Sequence, residues 1–356
     1  MTRPVLHALA WPGGLGGAAR SVEETCAAQL RNGVTAEAWL CTANRLTPSP
    51  VPERFAARGV PVHRWTADTF LAPRAVRDLT RCLRALGRDA VLHTHGERAL
   101  LWGLAAAGLT GARHVHTMHG WIRNTMADRR REDRARSLLA RVDAVVAVHD
   151  VVAEGFAGAH VIPNTLDARR FSRAAGDRER TRRHWGLGAA DRVYLFLGRL
   201  AAEKGADRLA VIQARLQTVS AAGRLVVAGS GPLGPGVEAM TDVRMLGERA
   251  DPAAVLAAAD VVLMPSRSEG LPMTALEAAA VQVPLVGFPV GGLADSGLAL
   301  TVPDGDVDRL VDAAVRLVRD DALRARALDQ STSALAGPFA PARHAAALSD
   351  IYDGRA

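Results

Sequence analysis

Two doubly wound α/β domains facing each other across a cleft are predicted by this chain. Its 356 residues exceed what one hydrophobic core serves, so two units of roughly 150 to 190 residues are expected. Short apolar runs alternate with amphipathic helical stretches from one end to the other. The alternation breaks once, in an arginine-rich stretch after Asn164, and then begins afresh.

In the first half the runs at residues 5–10, 36–40, 90–95, 114–117, 144–148 and 160–162 read as strands. Between the first two, Val22, Cys26 and Leu30 recur four apart, the spacing of one helical face. In the second half, residues 194–197, 224–228, 243–246, 261–264, 284–287 and 298–301 read the same way. The aperiodic segment from Asn164 to about Gly188 reads as a linker. The domains are thus expected at residues 1–165 and 166–339. Open parallel sheets bind ligands beyond the carboxyl ends of their strands, so those ends are where function is sought.

Charge narrows the partners. The formal net charge is +7 and the pI near 10.4, which favours anions. Aromatic residues make up only 4%, too few to interleave with the basic groups and stack bases, so nucleic acid is excluded. Arginines are densest at residues 169–183 and at residues 123–141, which open on Arg123 and close on Arg141. The latter stretch also holds Asp128, Glu132 and Asp133, so it reads either as an ion-paired helix face or as a contact for an anionic membrane. Cys26, Cys41 and Cys82 are too scattered for a disulfide framework or a zinc site, which fits a reducing, cytoplasmic setting. No secretory leader is read at the start, and no apolar run reaches the roughly 18 residues that a membrane span needs.

Of the 44 basic residues one is lysine, Lys204, in Gly198-Arg199-Leu200-Ala201-Ala202-Glu203-Lys204-Gly205. A compact, mobile ammonium retained in an arginine-rich chain points to phosphate oxygens in a confined pocket. After the first strand, Gly13-Gly14-Leu15-Gly16-Gly17 would let backbone approach an anion at a helix start. It lacks the dinucleotide fingerprint, and no acidic residue ends the next strand, so a nicotinamide enzyme is disfavoured.

His119-Gly120 sits at the lip of the first sheet. His93, His95, His114 and His116 lie on two strands with period two and no carboxylate joins them, so no metal is assigned. The most specific element is Pro265-Ser266-Arg267-Ser268-Glu269-Gly270-Leu271-Pro272-Met273-Thr274-Ala275-Leu276-Glu277. Pro272 reads as an early helix residue, which leaves the N–H groups around Gly270 and Leu271 to face an anion. Two carboxylates beside a largely apolar helix suit paired hydroxyls of a sugar or ribose.

These motifs together resemble the retaining GT-B glycosyltransferases of glycosyltransferase family 4, the glycosyl transferases group 1. The likeness runs through Gly16-Gly17, His119-Gly120, Ile162-Pro163-Asn164, Gly198-Arg199, Glu203-Lys204-Gly205, Gly229-Ser230-Gly231-Pro232, Glu269 with Glu277, Gly291-Gly292 and Pro303-Asp304-Gly305-Asp306. It implies that Arg199 and Lys204 hold a donor diphosphate and that Gly16, Gly17, Gly270 and Leu271 line the donor. It further implies that Glu269 binds the transferred sugar, Glu277 the ribose, and that His119 lies beside that sugar. The activity implied is metal-independent transfer of a hexose from a nucleotide sugar, UDP-linked in preference to GDP-linked, without a cofactor. The acceptor would be a lipid-linked saccharide, a saccharide or a small molecule.

A nucleotide-sugar epimerase of the same fold is the rival activity, and an inactive donor-binding partner subunit the rival of another class. The resemblance also implies that a final helix, about residues 340–356, returns to the first domain. Two departures stand out: Ala19 where many relatives have glutamate, and Thr165 where many have glycine.

Overall fold

The computed structural model describes residues 2–11, 16–42, 50–66, 72–120, 126–172, 178–219 and 223–356. Residues 12–15 and 121–125, which include Gly13, Gly14, Leu15 and Arg123, lie outside them. The chain divides into two compact units, Met1–Thr165 with Phe339–Ala356 and Leu166–Pro338. No helix among the described residues is long and apolar enough to cross a membrane.

The first unit is built on a seven-stranded sheet: β1 (Val5–Trp11), β2 (Ala36–Thr42), β3 (Val62–Thr66), β4 (Val91–His95), β5 (Arg113–Met118), β6 (Ala144–Ala147) and β7 (His160–Val161). Spatial order is β3-β2-β1-β4-β5-β6-β7, parallel throughout. The second unit carries β8 (Arg192–Leu197), β9 (Gly223–Ala228), β10 (Val243–Gly247), β11 (Val261–Met264), β12 (Leu285–Gly287) and β13 (Leu300–Thr301). Their order, β10-β9-β8-β11-β12-β13, repeats the first six places of the other sheet and is also parallel. Each sheet therefore reverses direction once, between β1 and β4 and between β8 and β11, and those switch points are where such folds hold ligands.

Both faces of these strands are covered, which is why they read as continuous apolar runs. In the second unit Tyr194 and Phe196 of β8 pack with Leu225 and Val227 of β9 and with Leu310, Val311 and Leu317 of the helix Val307–Arg319. In the first unit Leu6 and Ala8 face Trp102 and Leu79. The opposite side of β1 and β4 carries His7, His93 and His95, with His7 in register with His93. Over it lie the helices Gly17–Arg31 and Pro341–Asp353.

Three readings need correction. β3 was not among the expected strands, because an edge strand whose five residues are all partly exposed lacks an apolar signature. Pro272 precedes its helix, Met273–Ala280, as the N-cap and is not part of it. The arginine-rich segment is no linker: it contains the helices Ala168–Ser172 and Arg178–His184 and belongs to the second unit. Arg178 donates to the carbonyls of Ala257 and Ala259, at and just beyond the end of the helix Pro252–Ala257, and to Asp260 Oδ1 at 2.5 Å. Arg182 donates to the Ala258 carbonyl and to Asp260 Oδ2. Charge here builds a buried ion network, and periodicity cannot show that because the partner is about 80 residues away.

Candidate functional site

The switch point of the second sheet is assembled by two loops. After β8, Gly198 N–H bonds to the Ala228 carbonyl, and the chain turns through the 3-10 helix Ala202–Lys204 to Gly205. Gly205 has φ +73°, and a Cβ there would sit 2.0 Å from the Pro265 carbonyl oxygen. Only glycine lets the loop after β8 seat on the loop after β11. The N–H groups of Arg267 and Ser268 then bond to the Glu203 carbonyl at 2.8 and 3.3 Å. This stitching brings Lys204 and Glu269, 65 residues apart in sequence, into an ion pair: Nζ donates to Oε2 at 2.6 Å.

Glu269 is held from several sides. The Ser266 hydroxyl donates to its Oε1 at 2.8 Å. Behind it, Gly291 has φ +53° and a Cβ there would lie 2.1 Å from the Glu269 carbonyl oxygen, while Gly292 N–H donates to the Gly270 carbonyl at 2.6 Å. The Glu269 side chain is 5% exposed and that of Lys204 31%, so a buried carboxylate holds a cation whose tip still meets solvent. Such an ammonium can take a phosphate as partner with little rearrangement.

Arg199 pairs with the buried Glu203, one turn on, and keeps half of its side chain exposed. Glu277 lies in the helix Met273–Ala280 and is buried. Gly270 and Leu271 are buried just before that helix. Of the residues singled out in this half, Lys204 and Glu269 are joined directly, Arg199 stands on the same β8 loop, and Glu277 occupies the helix that follows Glu269. Ser266 and Glu203 fall within motifs named from the sequence but were given no role there. Both sit within three or four residues of a predicted site residue.

In the first unit Gly16 caps the helix Gly17–Arg31, and a Cβ at either Gly16 or Gly17 would meet nothing within 4 Å among the described residues. Packing against the described residues does not require glycine there; close approach of a ligand to the helix start would. His119 follows β5. Its Nε2 bonds to His95 Nδ1 at 3.0 Å, and its own Nδ1 is buried with no partner among the described residues. Burial lowers its pKa to about 4, with the positive potential of His344 adding to the shift.

His7, His93 and His95 put one nitrogen each within 4.8 Å of the others, a spacing that a metal could use. All six of their ring nitrogens are engaged in hydrogen bonds instead. His7 bonds to His95 and Gln29, His93 to Tyr352 and Thr117, and His95 also to His119. A metal would have to break several of these, with no carboxylate to balance its charge.

Arg134 and Arg136 of the helix Met126–Leu139 pair with Glu97 and Glu132, and Arg130 is exposed. The side chains of Arg129 and Arg131 lie outside the described residues.

Two parallel sheets of seven and six strands in this order, with phosphate-compatible groups at the second switch point, define the GT-B glycosyltransferase fold. Solved structures agree. The chain superposes on Anabaena HepE in complex with UDP-glucose with a TM-score of 0.81, covering 98% of this chain and 99% of that one at 18% identity. A sucrose-phosphate synthase from Thermosynechococcus elongatus gives 0.77, with 99% of each chain covered at 19% identity.

Residues 15–170 match Glycosyltransferase Family 4 and residues 191–320 match Glycosyl transferases group 1. A D-inositol 3-phosphate glycosyltransferase 1 of Catenulispora acidiphila is 30% identical over 369 residues, 90% of this chain and 87% of that protein. The chain belongs to this glycosyltransferase family. An alpha-D-kanosaminyltransferase of Streptomyces kanamyceticus is 29% identical over 200 residues, which is 52% of this chain and 50% of that protein. The match to a Mycobacterium avium D-inositol 3-phosphate glycosyltransferase also spans half of that relative's length.

Proposed function

We propose that the protein moves a hexose from a nucleoside diphosphate donor, a UDP-sugar in preference to a GDP-sugar, to an acceptor hydroxyl with retention of configuration. The observation that carries this reading is the Lys204–Glu269 pair at the second switch point. Lys204 and Arg199 meet the diphosphate, and backbone at Gly16, Gly17, Gly270 and Leu271 adds donors. Charge on the departing nucleotide is met by preorganised cations, the term that dominates such catalysis, and no metal has a part in it. Glu269, freed from Lys204 as phosphate takes its place, accepts from hydroxyls of the sugar, while Glu277 accepts from the ribose. His119 contacts the transferred sugar.

Retention is favoured by the poor basicity of His119, the candidate base in the first unit. An inverting enzyme needs one poised near neutral pH, and a histidine whose conjugate acid has a pKa of about 4 accepts the acceptor's proton poorly. The departing phosphate is then the proton acceptor. Proton NMR of the first-formed product is expected to show the small anomeric coupling of an α-linked gluco-configured sugar; a large β-type coupling would reverse the assignment.

A thermal-shift screen of nucleotide sugars tests the donor, because only ligand bound to the native state raises Tm. Lys204→Ala and Arg199→Ala are each expected to weaken UDP binding by ~1.5–3 kcal/mol, the range for charged hydrogen bonds. Titration calorimetry with unchanged affinity in both would remove the phosphate assignment. Relatives are named for D-inositol 3-phosphate and 2-deoxystreptamine, both cyclitols, which puts cyclitols first among small-molecule acceptors. Lipid-linked acceptors would bring the protein to a membrane. In that case Arg130 and its neighbours should drive co-sedimentation with anionic but not neutral vesicles, each contributing about 1 kcal/mol and losing it in salt. Equal recovery in the supernatant with both favours a soluble acceptor.

A further inference from the structure

His119 ends a chain of hydrogen bonds that runs through the interior of the first unit. His119 Nε2 bonds to His95 Nδ1 at 3.0 Å, His95 Nε2 to His7 Nδ1 at 3.0 Å, and His7 Nε2 to Gln29 Oε1 at 2.7 Å. Gln29 Nε2 donates to the Tyr352 hydroxyl at 2.9 Å, and that oxygen is 2.7 Å from His93 Nδ1. Burial lowers the pKa of His7 to about 4 and that of His95 well below the ordinary value. Each ring is therefore neutral at pH 7 and has one donor nitrogen and one acceptor nitrogen.

Gln29 decides which is which. Its amide nitrogen is committed to Tyr352, so its oxygen faces His7 and the His7 proton must sit on Nε2. His7 Nδ1 is then an acceptor and takes the Nε2 proton of His95. His95 Nδ1 is an acceptor in turn and takes the Nε2 proton of His119. The second branch closes in the same sense: the Tyr352 hydroxyl donates to His93 Nδ1, and His93 Nε2–H donates to the Thr117 hydroxyl at 2.6 Å. The opposite polarity would leave His119 with a buried Nδ1–H and no acceptor among the described residues, the rarer and costlier kind of orphan.

We propose that Gln29, His7 and His95 are positioning residues that lock His119 in its Nε2–H tautomer, so that Nδ1 meets a ligand only as a hydrogen-bond acceptor. Resting on the reading that His119 contacts the transferred sugar, this makes the site select a donor sugar by a hydroxyl that gives its proton to Nδ1. A sugar with hydrogen or a carbonyl oxygen at that position leaves the lone pair unmet. The three residues touch no substrate; like the outer partners of a metal-bound histidine, they act by fixing which nitrogen is protonated.

Nitrogen-15 NMR of the full chain with labelled histidine, without ligand, reads the tautomer directly. The His119 signals, assigned by their loss in His119→Ala, are expected to show a protonated Nε2 and a bare Nδ1; a protonated Nδ1 or an even mixture would overturn the lock. His7→Phe, two hydrogen bonds away, should convert His119 to a mixture of tautomers. It should also lower kcat/KM for the donor about fivefold to tenfold, the scale of one hydrogen bond, with affinity for free UDP unchanged. A His119 tautomer unmoved by His7→Phe would overturn the relay, and if that variant does not fold, the native spectrum alone decides. Wild-type transfer by His119→Ala, with the Nε2–H form present in the native protein, would overturn selection of the sugar while the lock stands. The two layers thus fail separately.

Discussion

Acidification from pH 7.5 to 4 is expected to unfold the first unit and spare the second. His7, His114, His119 and His344 are each held at a pKa of about 4, chiefly by burial, and burial also keeps His93, His95 and His116 well below the ordinary value. An unfolded chain takes up these protons near pH 6.5, and the native unit does not until about pH 4. Stability from the depressed groups is therefore fully present above pH 6.5 and drains as pH falls through that window. A shift from 6.5 to about 4 corresponds to ~3 kcal/mol for one histidine. Several together are comparable to the ~5–15 kcal/mol by which a domain is stable. All seven belong to the first unit. Urea midpoints at pH 7.5 and 5, read with a tryptophan probe in each unit, should separate at low pH. Parallel movement of both midpoints would mean that the rings are protonated in the native state.

Asp260→Ala is expected to destabilise the second unit by ~3–5 kcal/mol, the cost of stripping the partner from a buried ion pair. Asp260 accepts from Arg178, Arg182 and the Val193 N–H at 2.5, 2.5 and 2.7 Å. Removing it leaves two guanidinium groups facing one another and uncaps the first hydrogen bond of β8. Asp260→Asn keeps an acceptor but not the charge, so its loss should be smaller. Urea unfolding checks both. A change below about 1 kcal/mol for alanine would show that water replaces the carboxylate and that the network is only a surface pairing.

The two parallel sheets were legible because buried parallel strands advertise themselves as apolar runs, whereas the order in which the strands lie side by side was not. β3 was not, since Val62, Arg64 and Thr66 alternate on a half-exposed edge. Lys204 was conspicuous as the one lysine, but its pairing with Glu269 depends on the Gly205 turn, a backbone contact that residue spacing does not disclose. Arg178 and Arg182 read as linker charge because Asp260 is remote in sequence. The histidines were visible as a period-two pattern. Their chemistry was not, for Gln29 and Tyr352, which orient them, sit on helices at opposite ends of the chain.

The placement of Tyr352 and His344 bears on the order in which the protein can form. Residues 166–338 form one continuous unit, whereas the first unit is completed only by residues 339–356. Until then the pocket that receives the Tyr352 hydroxyl lies open, with Gln29, His93 and Thr25 lacking partners that arrive last. The first unit thus closes only when this segment docks, and until then its imidazoles stay wet and open to protons. A released chain truncated after residue 338 should accordingly show a protease-resistant second unit and a sensitive first, the reverse of the usual N-terminal-first order.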